Sequence, residues 1–243
     1  MLITRQSDPA RLLPVVSLLL LCGVFLVGCA PGAGEADGGS AVIAAVVPDI
    51  SASGGGDALR IVALGDSLTA GLGLSVDEAY PAKLQEQLDR EGHALRVVNA
   101  GVSGDTSAGG LRRLQFVLEG EADVRIVILA LGGNDGLRGL PVDQMKDNLG
   151  QIIVTAQRQG AQVLLAGMEA PPNFGTGYTD AFRRVFSELA EEYEVVFVPF
   201  LLEGVAGTPG FNQRDGIHPN AEGAERVAAH VWSALRPMLE QVP

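Results

Sequence analysis

Four short segments hold the residue types that acyl transfer needs. Gly65-Asp66-Ser67-Leu68 places a hydroxyl directly behind a short apolar run at 59–64. A serine at a strand-to-helix turn sits among free N–H groups in a positive potential. It becomes a nucleophile once a base takes its proton. The same tetrapeptide is equally compatible with Asp66 or Ser67 simply capping a helix. Asp215-Gly216-Ile217-His218-Pro219 lies in a Gly- and Pro-rich stretch before the last helical segment. An acid three residues ahead of a histidine can hold one imidazole nitrogen and leave the other to serve Ser67. His93 and His230 have no such acid partner and are read as ordinary residues. Asn134, in Leu131-Gly132-Gly133-Asn134-Asp135, carries an amide able to donate to a developing oxyanion. Gly104, within 99–106, could bring a backbone N–H to the same place. Both segments also read as plain turns, since Gly and Asn tolerate positive φ.

These segments work together only if the fold gathers them. Apolar, β-rich runs occur at 59–64, 95–99, 124–131, 162–167 and 195–198. Their nearly continuous apolar character marks a sheet covered on both faces, as in parallel sheets. Helical spacing falls between them: Leu84 and Leu88; Met145, Leu149, Ile152 and Ala156; Phe182, Val185, Phe186 and Leu189; then Val227, Val231 and Leu235. Alternating strands and helices predict βαβ units in a three-layer α/β domain. Ligands bind such sheets at the carboxyl ends of the strands. The turns holding Ser67, Gly104 and Asn134 all follow strands and so converge there.

The chain of 243 residues is 47% hydrophobic, enough for one full core. Its formal charge of −12, without a Lys/Arg cluster, excludes nucleic acid as a partner. Both cysteines, Cys22 and Cys29, lie at the start, so the body has neither a disulfide nor a thiolate metal site of its own. Arg5 and Arg11 are followed by an apolar run to Val27, the layout of a secretory leader and short for a ~30 Å membrane core. The run ends in Leu26-Val27-Gly28-Cys29, which resembles the lipobox of bacterial lipoproteins. That resemblance implies a signal peptide at 1–28, lipid on Cys29 and an extracytoplasmic protein held on a membrane. Residues 29–57, rich in Gly, Ala, Ser and acids, are expected to be a flexible tether, with the domain at 58–243. The apolar run at 41–47 does not fit a tether.

Taken together, Gly65-Asp66-Ser67-Leu68, Gly104, Gly132-Gly133-Asn134-Asp135 and Asp215-Gly216-Ile217-His218-Pro219 resemble the four blocks of the GDSL/SGNH hydrolases. Segments 99–106, 136–141 and 171–175 are similar to the bacterial thioesterase I / lysophospholipase L1 / arylesterase group within that family. The resemblance implies a flavodoxin-like sheet of order 2-1-3-4-5, no cofactor and no metal. It also implies an oxyanion hole from the Ser67 and Gly104 N–H groups and the Asn134 amide. The expected activity is hydrolysis of esters or thioesters through an acyl-Ser67 intermediate, on small acyl esters or lysophospholipids. Leu137 and Leu140 are candidates to line an acyl groove. An esterase or acyltransferase acting on O-acetylated cell-wall sugars, and a non-catalytic binding lipoprotein, remain as alternatives.

Overall fold

The computed structural model describes residues 58–242. The leader at 1–28, the tether at 29–57 with its run at 41–47, and Cys29 lie outside the described residues.

Five parallel strands form one sheet: β1 (Leu59–Gly65), β2 (Leu95–Gly101), β3 (Val124–Ala130), β4 (Gln162–Ala166) and β5 (Val196–Val198), in the order β2-β1-β3-β4-β5. The three inner strands are the most continuously apolar, and from Ile61 to Leu64 and Ile126 to Leu131 every side chain is completely buried. Each buried Leu, Ile or Val stabilises the fold by about 1.5–3 kcal/mol, which is why such runs settle in the middle of the sheet. The edge strands differ from the runs expected. β2 continues through Ala100 to Gly101 because its ladder with β1 continues to Gly65. β5 keeps only three residues, with Val196 exposed at the edge.

Among the described residues, seven α-helices flank the sheet: α1 (Ser67–Ala70), α2 (Tyr80–Glu91), α3 (Ser107–Gly120), α4 (Gly133–Leu137), α5 (Val142–Arg158), α6 (Thr176–Glu192) and α7 (Ala221–Leu239). α2 packs on α7, whereas α5 packs on α3 and α6. Right-handed crossovers require this division, because the chain moves one way from β1 to β2 and the other way thereafter. Leu84 and Leu88 of α2, the Met145, Leu149, Ile152 and Ala156 stripe of α5, Phe182, Val185, Phe186 and Leu189 of α6, and Val227, Val231 and Leu235 of α7 are all buried. The direction reverses between β1 and β3. There the loops diverge at the carboxyl ends of the strands and open a crevice. α1 and α4, the one-turn helices behind β1 and β3, face each other across it.

Candidate active site

α1 starts at Ser67, with Asp66 as its N-cap accepting from the Leu68 N–H at 3.0 Å. Capping and an accessible serine therefore coexist in the one tetrapeptide: the cap belongs to Asp66, and Ser67 is the first helical residue. The turn is tight. A Cβ on Gly65 would run into the Thr69 hydroxyl, so only glycine fits between β1 and α1.

The loop before α7 delivers the imidazole. His218 Nε2 lies 2.9 Å from Ser67 Oγ, and His218 Nδ1 lies 2.6 Å from Asp215 Oδ2. Asp215 Oδ1 accepts from the N–H groups of Ile217 (2.9 Å) and His218 (3.0 Å), closing the Asp-Gly-Ile-His turn on itself. The Ile217 N–H first, then the His218 ring and its N–H, hold the Asp215 carboxyl down at about 2. It therefore stays ionised well into acid. Gln213 pins the loop from outside, donating to the carbonyls of Leu72 (2.6 Å) and Pro219 (2.9 Å). The histidine loop is thus fastened to the chain that follows Ser67.

On the opposite side of Ser67, α4 presents Asn134, whose amide donates to Asp66 Oδ2 at 3.1 Å. An amide has two N–H groups, so one remains to point at the crevice. Gly104 sits at φ +84, a conformation that favours glycine. The Arg138 guanidinium donates to its carbonyl at 2.8 Å. Among the described residues the N–H groups of Ser67 and Gly104 have no hydrogen-bond partner. The structure therefore brings Ser67, His218, Asn134 and Gly104 together at one crevice, with Asp215 bonded to the far side of the His218 ring.

Two buried acids, Asp66 and Asp135, underlie the crevice and go beyond the site residues that the sequence alone suggests. Asp66 bridges Leu68 and Asn134, and burial pushes its carboxyl up to about 6 against the pull of those two bonds. Asp135 accepts from both the N–H (2.8 Å) and the hydroxyl (2.7 Å) of Ser107, tying α4 to the start of α3. The signal for both was position: each acid follows a strand and neighbours an expected site residue.

The crevice widens into a cleft of about 570 Å³, within the range of small-molecule sites. Its walls include Leu72, Leu137, Met168, Pro171, Phe200 and Ile217. Leu137 is therefore a lining residue, and Leu140 is not. Past α4 the chain turns through Gly139 at φ +60, the Leu140 N–H returns to the Asp135 carbonyl, and the Leu140 carbonyl accepts from Tyr178. The other histidines lie apart from the cleft. His230 is 3.1 Å from the Phe200 carbonyl, and His93 stands edge-on to Trp232 with the Glu91 carboxylate 3.9 Å away. Among the described residues neither makes a carboxylate hydrogen bond like that of His218 to Asp215. Among the described residues no three His, Cys, Asp or Glu side chains converge as metal ligands.

The chain is similar to known proteins in sequence and in fold. The profile of the GDSL-like Lipase/Acylhydrolase family matches residues 63–226. Esterase TesA of Pseudomonas aeruginosa is 46% identical over 182 residues, covering 75% of this chain and 90% of the relative. Thioesterase 1/protease 1/lysophospholipase L1 of Escherichia coli is 38% identical over 179 residues, covering 74% and 84%. A crystal structure of TesA superposes with a TM-score of 0.71 at 45% identity, covering 74% of this chain and 99% of that one.

Proposed function

The chain belongs to the GDSL-like lipase/acylhydrolase family and is a serine hydrolase of esters or thioesters, and from that premise we propose that Ser67, His218 and Asp215 carry the reaction at the mouth of the cleft. The observation that supports this most is the hydrogen-bonded line from Asp215 through His218 to Ser67, at 2.6 and 2.9 Å. Ser67 Oγ attacks the acyl carbonyl carbon while His218 Nε2 takes its proton. The carbonyl oxygen becomes an oxyanion, held by the N–H groups of Ser67 and Gly104 and the free N–H of Asn134. Collapse breaks the bond to the leaving alcohol or thiol, which takes the proton from His218 and leaves an acyl-Ser67. A water then gives its proton to His218 and adds to the acyl carbon, and the proton returns to Ser67 as the acid departs. Asp215 fixes the imidazole tautomer and stabilises the imidazolium between these transfers.

The cleft wall selects the substrate class. Leucine, methionine, proline and phenylalanine side chains suit an acyl chain, as in a small acyl ester or a lysophospholipid. Beyond Asp66 and the proposed catalytic groups the wall offers only Ser103 and Glu169 as polar side chains, which favours an acyl chain over an O-acetylated sugar. We further propose that the protein is an extracytoplasmic lipoprotein held to a membrane through Cys29, a reading supported by Leu26-Val27-Gly28-Cys29 behind an apolar run. Among the described residues no helix is long and apolar enough to cross a membrane. The mass of the mature amino-terminal peptide tests the anchor: a free Cys29 thiol refutes it.

Hydrolysis of p-nitrophenyl esters of graded chain length, with Ser67→Ala as control, tests the chemistry. The expected result is a fall of ~10⁴-fold or more in kcat for folded Ser67→Ala. Substantial turnover by that variant would remove Ser67 from the mechanism.

A further inference from the structure

Eight large apolar side chains are exposed among the described residues. Two, Phe116 and Val196, stand on α3 and at the start of β5. The other six all lie on the connections that leave the carboxyl ends of the strands, and each of the five connections supplies at least one. Leu72 and Val76 follow β1, Val102 follows β2, Leu137 follows β3, Phe174 follows β4 and Ile217 follows β5. Their exposures run from 40% to 84%. Scattered surface apolar residues need no explanation, but a ring at one end of a molecule does. Leu72, Leu137 and Ile217 line the cleft, so an acyl chain in the site accounts for them. Val76, Val102 and Phe174 do not line it, and substrate inside the cleft leaves them in water.

We propose that this rim seats the mouth of the cleft on the surface of a zwitterionic or uncharged lipid aggregate, so that the ester enters the site from a lipid–water interface. The proposal rests on the hydrolase reading above. Charge selects the kind of lipid. The stretches between each strand end and the long helix that follows it (66–79, 102–106, 131–141, 167–175 and 199–220) contain no lysine, and their exposed arginines, Arg138 and Arg214, are matched by Asp77, Glu78, Glu203 and Asp215. With a formal charge of −12 over the whole chain, an anionic surface repels the protein. Reach permits the orientation. β1 begins at the end of the sheet opposite Ser67, a separation of about 23 Å for seven residues. The stretch from Cys29 to Ala58 can span up to about 100 Å when extended, so a chain anchored at Cys29 can turn this end towards its own membrane.

The test uses the full chain and has two arms. In a Trp232→Phe background, one tryptophan is placed at Val102→Trp on the rim or at Gln159→Trp at the far end of α5. Vesicles of brominated phosphatidylcholine should quench the rim tryptophan by at least half and leave the far one bright. Equal quenching of both, quenching of neither, or quenching only with phosphatidylglycerol vesicles overturns the proposal. In the second arm, Val76→Ser/Val102→Ser should hydrolyse p-nitrophenyl acetate in solution within twofold of the unsubstituted protein. It should lose at least tenfold on a long-chain p-nitrophenyl ester dissolved in phosphatidylcholine vesicles. A parallel loss on both substrates, or on neither, overturns the proposal. Failure of the unsubstituted protein to cleave the soluble ester would instead count against the hydrolase reading.

Discussion

At Asp66 one buried carboxylate holds the Leu68 N–H through one oxygen and the Asn134 amide through the other. The first bond starts the helix that carries Ser67, and the second aims the amide facing the crevice. Replacing Asp66 by Asn keeps an acceptor for Leu68 but turns an amide N–H towards Asn134, where two donors repel. Asn134→Ala should lower kcat by ~10²-fold or more, with a smaller change in KM, as expected for a donor that acts where charge develops. Asp66→Asn should lower kcat by ~10-fold or more in the same way. Because the second effect acts through the first, the double variant should be no slower than Asn134→Ala alone. Four kcat values decide it. Losses that multiply would mean that Asp66 serves the reaction by another route.

Among the elements, α4 has the widest influence for its length of five residues. It carries Asn134 on the crevice and Leu137 in the cleft wall, and its C-cap, Arg138, reaches across to the carbonyl of Gly104. One short helix therefore sets two of the three proposed oxyanion donors. Removing Arg138 frees the Gly104 loop and leaves the core untouched, since Arg138 is exposed. A hydrogen bond from a charged group is worth about 1.5 kcal/mol or more, so Arg138→Ala should lower kcat about tenfold. Tm and KM should stay close to those of the unsubstituted protein, and Arg138→Lys should recover only part of the loss, because an ammonium lacks the planar fork. A raised KM at unchanged kcat would make Arg138 a substrate-binding residue. The same helix shows where sequence reading stops. β1, β3 and β4 were legible because burial on both faces demands unbroken apolar runs, and α5, α6 and α7 because their buried stripes repeat over several turns. A helix of four or five residues, rich in glycine, has no period to read, so α4 passed for a turn. Proximity to Asn134 in sequence points Leu140 to the cleft, whereas the left-handed turn at Gly139 takes it to Tyr178. Asp66 lay in plain view beside Ser67, but its bond to Asn134 joins residues 68 apart, and only the pairing of β1 with β3 brings them together.

For the whole molecule, the site costs stability, and pH exposes the cost. Burial lifts the Asp66 carboxyl from 3.8 to about 6, so the native state binds this proton more tightly than the unfolded chain does. Stability from this group is greatest below about pH 4 and falls as pH rises through the window from about 4 to about 6. A shift of that size corresponds to about 3 kcal/mol, a large share of the ~5–15 kcal/mol that holds a typical domain together. Asp215 acts in the opposite sense. Its carboxyl is held down at about 2, so its contribution is present above 3.8 and is lost as pH falls towards 2. The windows meet near pH 4, and between pH 4 and pH 7 only Asp66 of these two changes its charge. Asp66→Asn removes the titration and keeps the side chain's size, and its altered contact with Asn134 adds a difference that does not vary with pH. Compared with the unsubstituted protein by urea unfolding at pH 4, 5, 6 and 7, the variant should gain relative stability with each step. The total change should approach about 3 kcal/mol by pH 7 and then level off. Such an exchange of stability for a working site is common where a fold must bury a charge next to its chemistry. If the difference between the two proteins is the same at pH 4 and pH 7, the Asp66 carboxyl is not raised, and burying it carries no such cost.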